Sequence, residues 1–139
     1  MKRLALFFVL ILMIAPIPAS AQGQWSRPLL KADIPFDFSV MDRTFDRGTY
    51  VIDEIGQHAM RLRSTTNNDT IMFLTNSMLK PRADFGRNVL IFHRYGSEYV
   101  LSELWTGTNG AQLRTSKREV QLARGSKPKP TAVEMEVGK

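Results

Sequence analysis

Four side chains that could carry acid–base chemistry lie close together in the segment NVLIFHRYGSEYVLSELW, residues 88–105. They are His93, Tyr95, Glu98 and Glu103. A histidine can serve as a general base or as a metal ligand when an acid lies beside it. One hypothesis is therefore a hydrolase centred on His93, in which His93 and an acid converge in a cleft.

The same segment has a structural interpretation, because apolar residues precede His93 on both faces of the predicted strand. His93, Arg94 and Tyr95 would then lie where the strand leaves the core. Their polar tips would meet water or pair across the hairpin with Glu98 or Glu103. A hydrogen-bonded histidine at a strand end needs no catalytic explanation, so we favour this interpretation.

Other patterns that would indicate an enzyme or a cofactor are absent from the sequence. The chain has two histidines, His58 and His93, without the short spacing of a metal site, and it has no cysteine. Asp53 and Glu54 are adjacent and would point to opposite faces of a strand. Neither a nucleophile elbow nor a phosphate-binding glycine loop occurs. We therefore predict no catalytic residue, no metal and no cofactor.

Large aromatic residues are spread along the predicted strands. They could line a ligand pocket in a small barrel, or they could fill the core of a domain that has no disulfides. We favour the core, because ligand cups usually belong to somewhat larger barrels. The residues in question are Phe36, Phe38, Phe73, Phe92 and Trp105.

A short helix is predicted at residues 117–124. Ser116 and Glu119 have the spacing of a capping box, and Gly125 marks the end of the helix. Lys117 and Arg118 fall in the first turn, where the helix dipole disfavours positive charge. We expect them to pair with acids elsewhere, for example on the sheet.

The remaining pattern is that of β-strands separated by turns. Alternating residues in ADIPFDFSV and AMRLRS predict half-buried strands, and Pro35 predicts a sheet edge or a bulge. Gly96-Ser97 predicts a tight hairpin, and Asn109-Gly110 is the strongest two-residue turn signal in the chain. The fold class predicted is all-β, a small antiparallel β-sandwich or barrel of about seven strands with one short C-terminal helix.

The first 21 residues have the layout of a secretory signal peptide. Lys2 and Arg3 precede an apolar run, and small residues follow at 19–21. The apolar run is shorter than the roughly 20 residues that a membrane-spanning helix needs. We predict a flexible lead-in at 22–30, one β-rich domain at 31–124 and a disordered basic tail at 125–139. Export would place the protein in the periplasm or outside the cell, with no membrane span after cleavage.

Positive charge is concentrated near the C-terminus. Residues 22–113 carry ten basic and ten acidic side chains, whereas residues 114–139 carry seven basic and three acidic ones. A neutral body and an export signal argue against a nucleic-acid partner despite the high isoelectric point of about 10. An anionic component of the cell envelope is a more suitable contact for the basic tail.

The order of the segments ADIPFDFSV, GTYVIDE, IMFLTN, LIFHRYGSEYVLSELW and SKRE along the chain resembles a group of small exported β-rich proteins of the acidobacterial type, which have no established activity. The most distinctive pieces are residues 92–96 (FHRYG) and residues 116–119 (SKRE), and the resemblance extends from Lys31 to Arg124. It implies a domain of that extent and a periplasmic or envelope location. It assigns no catalytic residue.

Three functional hypotheses follow. The leading one is an exported non-enzymatic β-domain that acts as an envelope-associated interaction module, with an unknown protein or envelope component as its partner. The alternatives are a small-molecule or lipid-binding β-barrel and the hydrolase centred on His93. The candidate ligand or interaction residues are His93, Arg94, Tyr95, Glu98, Glu103, Trp105, Lys117 and Arg118.

Overall fold

The structure, a computed structural model, describes residues 30–77 and 86–138. The predicted signal peptide and nearly all of the predicted lead-in lie outside these residues. Within them the chain forms ten strands and one helix. The elements are β1 (Leu30–Ile34), β2 (Phe38–Val40), β3 (Arg43–Phe45), β4 (Gly48–Gly56), β5 (Ala59–Ser64), β6 (Thr70–Ser77), β7 (Val89–Tyr95), β8 (Glu98–Thr106), β9 (Asn109–Leu113), α1 (Lys117–Gly125) and β10 (Lys129–Val137).

Eight of the strands described close into an antiparallel barrel. Their order around the barrel is β1-β4-β5-β6-β9-β8-β7-β10, and β10 pairs with β1 to complete the ring. The short β2–β3 hairpin joins β8 through a parallel pairing at Ser39 and Val100. The all-β prediction is therefore confirmed, and of the two predicted architectures the fold is the barrel. Closure leaves these eight strands without a free edge.

The segment predicted as one strand around Pro35 is two strands. β1 ends at Ile34 and β2 begins at Phe38, so Pro35 lies between them. A proline cannot donate a hydrogen bond to a sheet ladder, which explains why pairing stops there. The break lets the chain leave the barrel wall and place Phe38 and Val40 in the core.

The prediction of a disordered tail is wrong for residues 129–137. These residues form β10, which lies between β7 and β1 and pairs with both. Thr131, Val133 and Met135 alternate with Pro130, Ala132 and other exposed residues. This period of two is a strand signal that the prolines and charges of the segment mask. Without β10 the barrel would not close.

Two turn predictions had different outcomes. The β7–β8 hairpin turns at Gly96-Ser97 as expected, and Gly96 has φ 63°. The β8–β9 hairpin turns at Gly107-Thr108 instead of Asn109-Gly110. Gly110 is directly opposite Trp105, and a Cβ atom on Gly110 would lie 2.7 Å from the indole ring. A glycine is therefore required at position 110 for close packing against Trp105 and not for a turn.

The interior of the barrel differs between its two ends. Aromatic side chains fill the interior at the end where β7 turns into β8. β9 also finishes at this end, and α1 follows it in the chain. We call this the helix end. The opposite end carries the β4–β5 and β8–β9 turns, and we call it the cavity end. Aromatic rings pack on one another near the helix end, among them Phe36, Phe38, Phe45, Tyr50, Phe92 and Tyr99.

In the part of the chain that the structure describes, no helix combines the length and apolar character needed to cross a lipid bilayer.

Candidate functional site

His93 and Tyr95 meet a carboxylate, but it comes from the helix and not from the neighbouring strand. The Nδ1 atom of His93 lies 2.9 Å from Oε1 of Glu119, and the Tyr95 hydroxyl donates to the same oxygen at 3.0 Å. The Glu119 residue is 6% exposed. The cross-strand pairs predicted with Glu98 and Glu103 are therefore wrong for His93 and Tyr95.

Glu119 reaches this position because Ser116 caps the helix. The Ser116 side chain accepts a hydrogen bond from the Glu119 amide at 3.1 Å, and its carbonyl accepts from the Val120 amide at 3.0 Å. The predicted capping of the helix by the Ser116 side chain is therefore confirmed. The Glu119 carboxylate, which a capping box would turn back along the helix, points to the sheet instead. Its place in the first turn also suits the helix dipole.

The environment of Tyr95 keeps its hydroxyl protonated. Burial, followed by the hydrogen bond and the charge of Glu119, raises the pKa of Tyr95 to about 12. At neutral pH the hydroxyl is therefore a hydrogen-bond donor and not a base. The Tyr95 hydroxyl therefore donates to Glu119, and the His93 ring nitrogen lies within hydrogen-bond distance of the same oxygen. The cluster acts as a joint between α1 and β7.

A second joint supports the first. Arg118 donates to Oε2 of Glu98 from Nε at 3.1 Å and from Nη2 at 2.7 Å. Its backbone amide donates to Oδ1 of Asp42 at 3.2 Å, which ties the β2–β3 turn to the first turn of α1. The expected pairing of first-turn cations with acids on the sheet is confirmed for Arg118. Lys117 is exposed.

Glu103 and Trp105 form a separate contact on β8. The indole Nε1 donates to Oε2 of Glu103 at 2.8 Å. Trp105 is fully buried with Val89 and Ile91 in a small apolar cluster. This side chain therefore serves packing, and it is not placed to receive a ligand.

Arg94 points away from the His93 cluster. Its Nε donates to the Gly96 carbonyl at 2.7 Å, and its guanidinium carbon lies 5.5 Å from the centre of the Tyr99 ring. Neighbouring residues on a strand face opposite sides, which separates Arg94 from His93 and Tyr95.

A concave space that the sequence did not predict lies at the cavity end. One cavity of about 260 Å³ adjoins a second of about 200 Å³, and the two share Glu54, Met60 and Thr106. Apolar side chains form much of the lining, namely Leu30, Ile52, Met60, Leu104 and Val137. Polar side chains complete the lining of the two cavities, among them Glu54, His58, Thr75, Asn88, Thr106 and Asn109.

None of the aromatic residues that could have lined a pocket contributes to these two cavities. Phe38, Phe73 and Phe92 belong to the core, and Phe36 packs against it. The expectation that the aromatics fill the core is correct, yet space remains beyond them. No short motif marks this space, because its lining comes from seven different strands and the segments between them.

Among residues 30–77 and 86–138, no cluster of three or more histidine, aspartate or glutamate side chains could hold a metal ion. Comparisons with protein-family models, curated proteins and solved structures find no match to this chain.

Proposed function

We propose that this protein is an exported, non-enzymatic binding protein that holds a small amphiphilic molecule at the cavity end of its barrel. The observation that carries the proposal is the pair of adjoining cavities that share Glu54, Met60 and Thr106. Binding sites for small molecules are typically concave, mostly apolar and set with a few polar groups. Mouths of β-barrels are a common place for them.

The lining indicates the chemistry of the ligand. Met60, Leu104 and Ile52 offer an apolar surface, and Glu54 places a carboxylate beside both cavities. A matching ligand has an apolar body and a small polar group at one end. Typical ligand pockets measure about 300–1,000 Å³, so cavities of 260 and 200 Å³ suit a small ligand.

Two other hypotheses have less support. The interaction module depended in part on a flexible basic tail, whereas residues 129–137 are a strand of the barrel. The hydrolase requires an acid that acts with His93 in a cleft. The acid beside His93 is Glu119, which is buried under the helix and also holds the Tyr95 hydroxyl. Export remains part of our proposal because of the signal-like residues 1–21.

A fluorescence titration with N-phenyl-1-naphthylamine tests the proposal. This probe has two apolar ring systems and one N–H donor, and its emission increases in an apolar site. We expect saturable binding by the full chain after export. Ala111→Phe should weaken binding by roughly tenfold or more, because Ala111 lines the larger cavity.

A matched control uses the next residue of the same strand. Gln112 is exposed and has the opposite orientation to Ala111, so Gln112→Phe adds the same ring outside the barrel. Gln112→Phe should bind the probe as the wild type does. Equal loss in both variants, or no saturable binding by the wild type, would refute the proposal.

A further inference from the structure

A second cleft lies at the helix end and has the opposite charge character. Its volume is about 300 Å³, and it is lined by Arg94, Gly96, Ser126, Lys127 and Lys129. Three of these five residues carry a positive charge, and Ser126 adds a hydroxyl. The residues come from β7, from the β7–β8 turn, from the segment that joins α1 to β10 and from the first residue of β10.

The pairing of β7 with β10 forces two of the positive charges together. Arg94 and Lys129 are direct partners in the antiparallel ladder. Like charges directly opposite each other on neighbouring strands destabilise a sheet. Lys127 lies two residues before Lys129 and lines the same cleft. The arrangement costs folding energy that a bound anion would recover.

Arg94 is held in place before any anion arrives. Its Nε donates to the Gly96 carbonyl at 2.7 Å, and its guanidinium packs over Tyr99, whose ring stacks on Phe36 at 3.8 Å. A guanidinium has four further N–H groups on its two terminal nitrogens. Fixing the side chain reduces the entropy that ordering it on a ligand would cost.

The nearest acid across the turn is engaged elsewhere. Glu98 follows Gly96 and Ser97, and its carboxylate accepts two hydrogen bonds from Arg118. The positive charge of the cleft is thus not cancelled by Glu98. Basic residues are in excess after position 113 of the sequence, and two of them, Lys127 and Lys129, line this cleft.

We propose that the cleft formed by Arg94, Lys127 and Lys129 binds a phosphate group. A phosphate offers several strong acceptor oxygens and up to two negative charges, which suits one guanidinium, two ammonium groups and the Ser126 hydroxyl. The group could belong to a free phosphorylated molecule or to the headgroup of an anionic lipid. This inference is independent of ligand binding at the cavity end.

The test compares two double variants of the full chain after export. Lys127→Ala/Lys129→Ala removes two charges from the cleft, and Lys31→Ala/Lys117→Ala removes two charges from exposed positions elsewhere. All four lysines are exposed, and circular dichroism checks that both variants fold. One arm titrates inorganic phosphate and then pyrophosphate by NMR. The other measures cosedimentation with phosphatidylcholine vesicles, with and without phosphatidylglycerol.

The proposal predicts that the cleft variant loses binding by roughly fivefold or more and that the control variant does not. Binding of phosphate or pyrophosphate would identify a free phosphorylated ligand as the source. Binding confined to vesicles that contain phosphatidylglycerol would identify a headgroup. Absence of binding in both arms would overturn the proposal, as would equal loss in both variants, which indicates a general effect of net charge.

Discussion

The helix end and the cavity end of the barrel use their side chains in opposite ways. At the helix end, the residues that could carry acid–base chemistry contact one another, because His93 and Tyr95 both form a hydrogen bond with the buried Glu119. At the cavity end, ordinary residues such as Met60 and Thr106 surround unfilled space. Reactive residue types therefore did not mark the best candidate site. Unfilled space in a closed barrel did.

The largest effect on stability should come from breaking the joint at the helix end. Glu119→Leu leaves the buried Tyr95 hydroxyl without its acceptor and removes the partner of the partly buried His93. We expect a loss of about 3 kcal/mol in the free energy of unfolding, measured by urea denaturation.

Glu136→Leu is the matched control for this change. Glu136 is an exposed acid on β10, and its replacement should alter stability by less than about 0.5 kcal/mol. An equal loss in the two variants would mean that the joint contributes no more than any exposed carboxylate.

A pair of substitutions on β9 compares the two sides of the wall at the cavity end. Gly110→Ala places a methyl group against the buried Trp105 ring, and overpacking of this kind should cost about 2 kcal/mol. Ala111→Phe adds a larger group to open space and should cost less than about 1 kcal/mol. Thermal and urea unfolding of the two variants measure the difference. The reverse order would mean that the cavity does not accommodate added volume.

The pH dependence of stability tests the electrostatics of the helix end. The folded pKa of Tyr95 is raised to about 12, above its ordinary value of 10. The stabilising contribution is therefore complete below pH 10 and is lost as the pH rises through 12. Between pH 9 and 12 the wild type should lose about 2 kcal/mol more than Tyr95→Phe. Identical stability–pH profiles of the two proteins would contradict the raised pKa of Tyr95. The pKa of Tyr50 is also raised, but Tyr50 is present in both proteins, so its contribution cancels.

The smallest effect is expected at the second joint. Both side chains of the Arg118–Glu98 pair are about two-fifths exposed. A double-mutant cycle with Arg118→Ala and Glu98→Ala should give a coupling energy of about 0.5 kcal/mol. A coupling above about 2 kcal/mol would show that α1 is held mainly by this pair and not by Glu119.

Much of the fold could be predicted from local patterns. Alternation along residues 59–64, the Gly96-Ser97 turn and the Ser116 cap are local signals, and the structure confirms each of them. Barrel closure could not be predicted in this way. It depends on β10, whose prolines and charges resemble those of a disordered segment, and on pairings with β1 and β7 that are distant in sequence.

The candidate sites were less predictable than the fold. Arg94 is the one predicted interaction residue that contributes to the basic cleft, and its partners Lys127 and Lys129 lay in the supposed tail. The cavity end has no motif, because strands far apart in sequence bring its lining together. Glu119 was visible as part of a capping pattern, yet its contact with β7 depends on tertiary packing.

The binding of a ligand at the cavity end can be tested most directly by NMR of the methionine methyl groups. Met60 lines both cavities, whereas Met72 is exposed and faces outward from β6. Met60→Leu and Met72→Leu variants assign the two signals. On titration with N-phenyl-1-naphthylamine, our account predicts that the Met60 signal shifts saturably and that the Met72 signal stays in place. A shift of Met72 without Met60, or no shift of either, would contradict it.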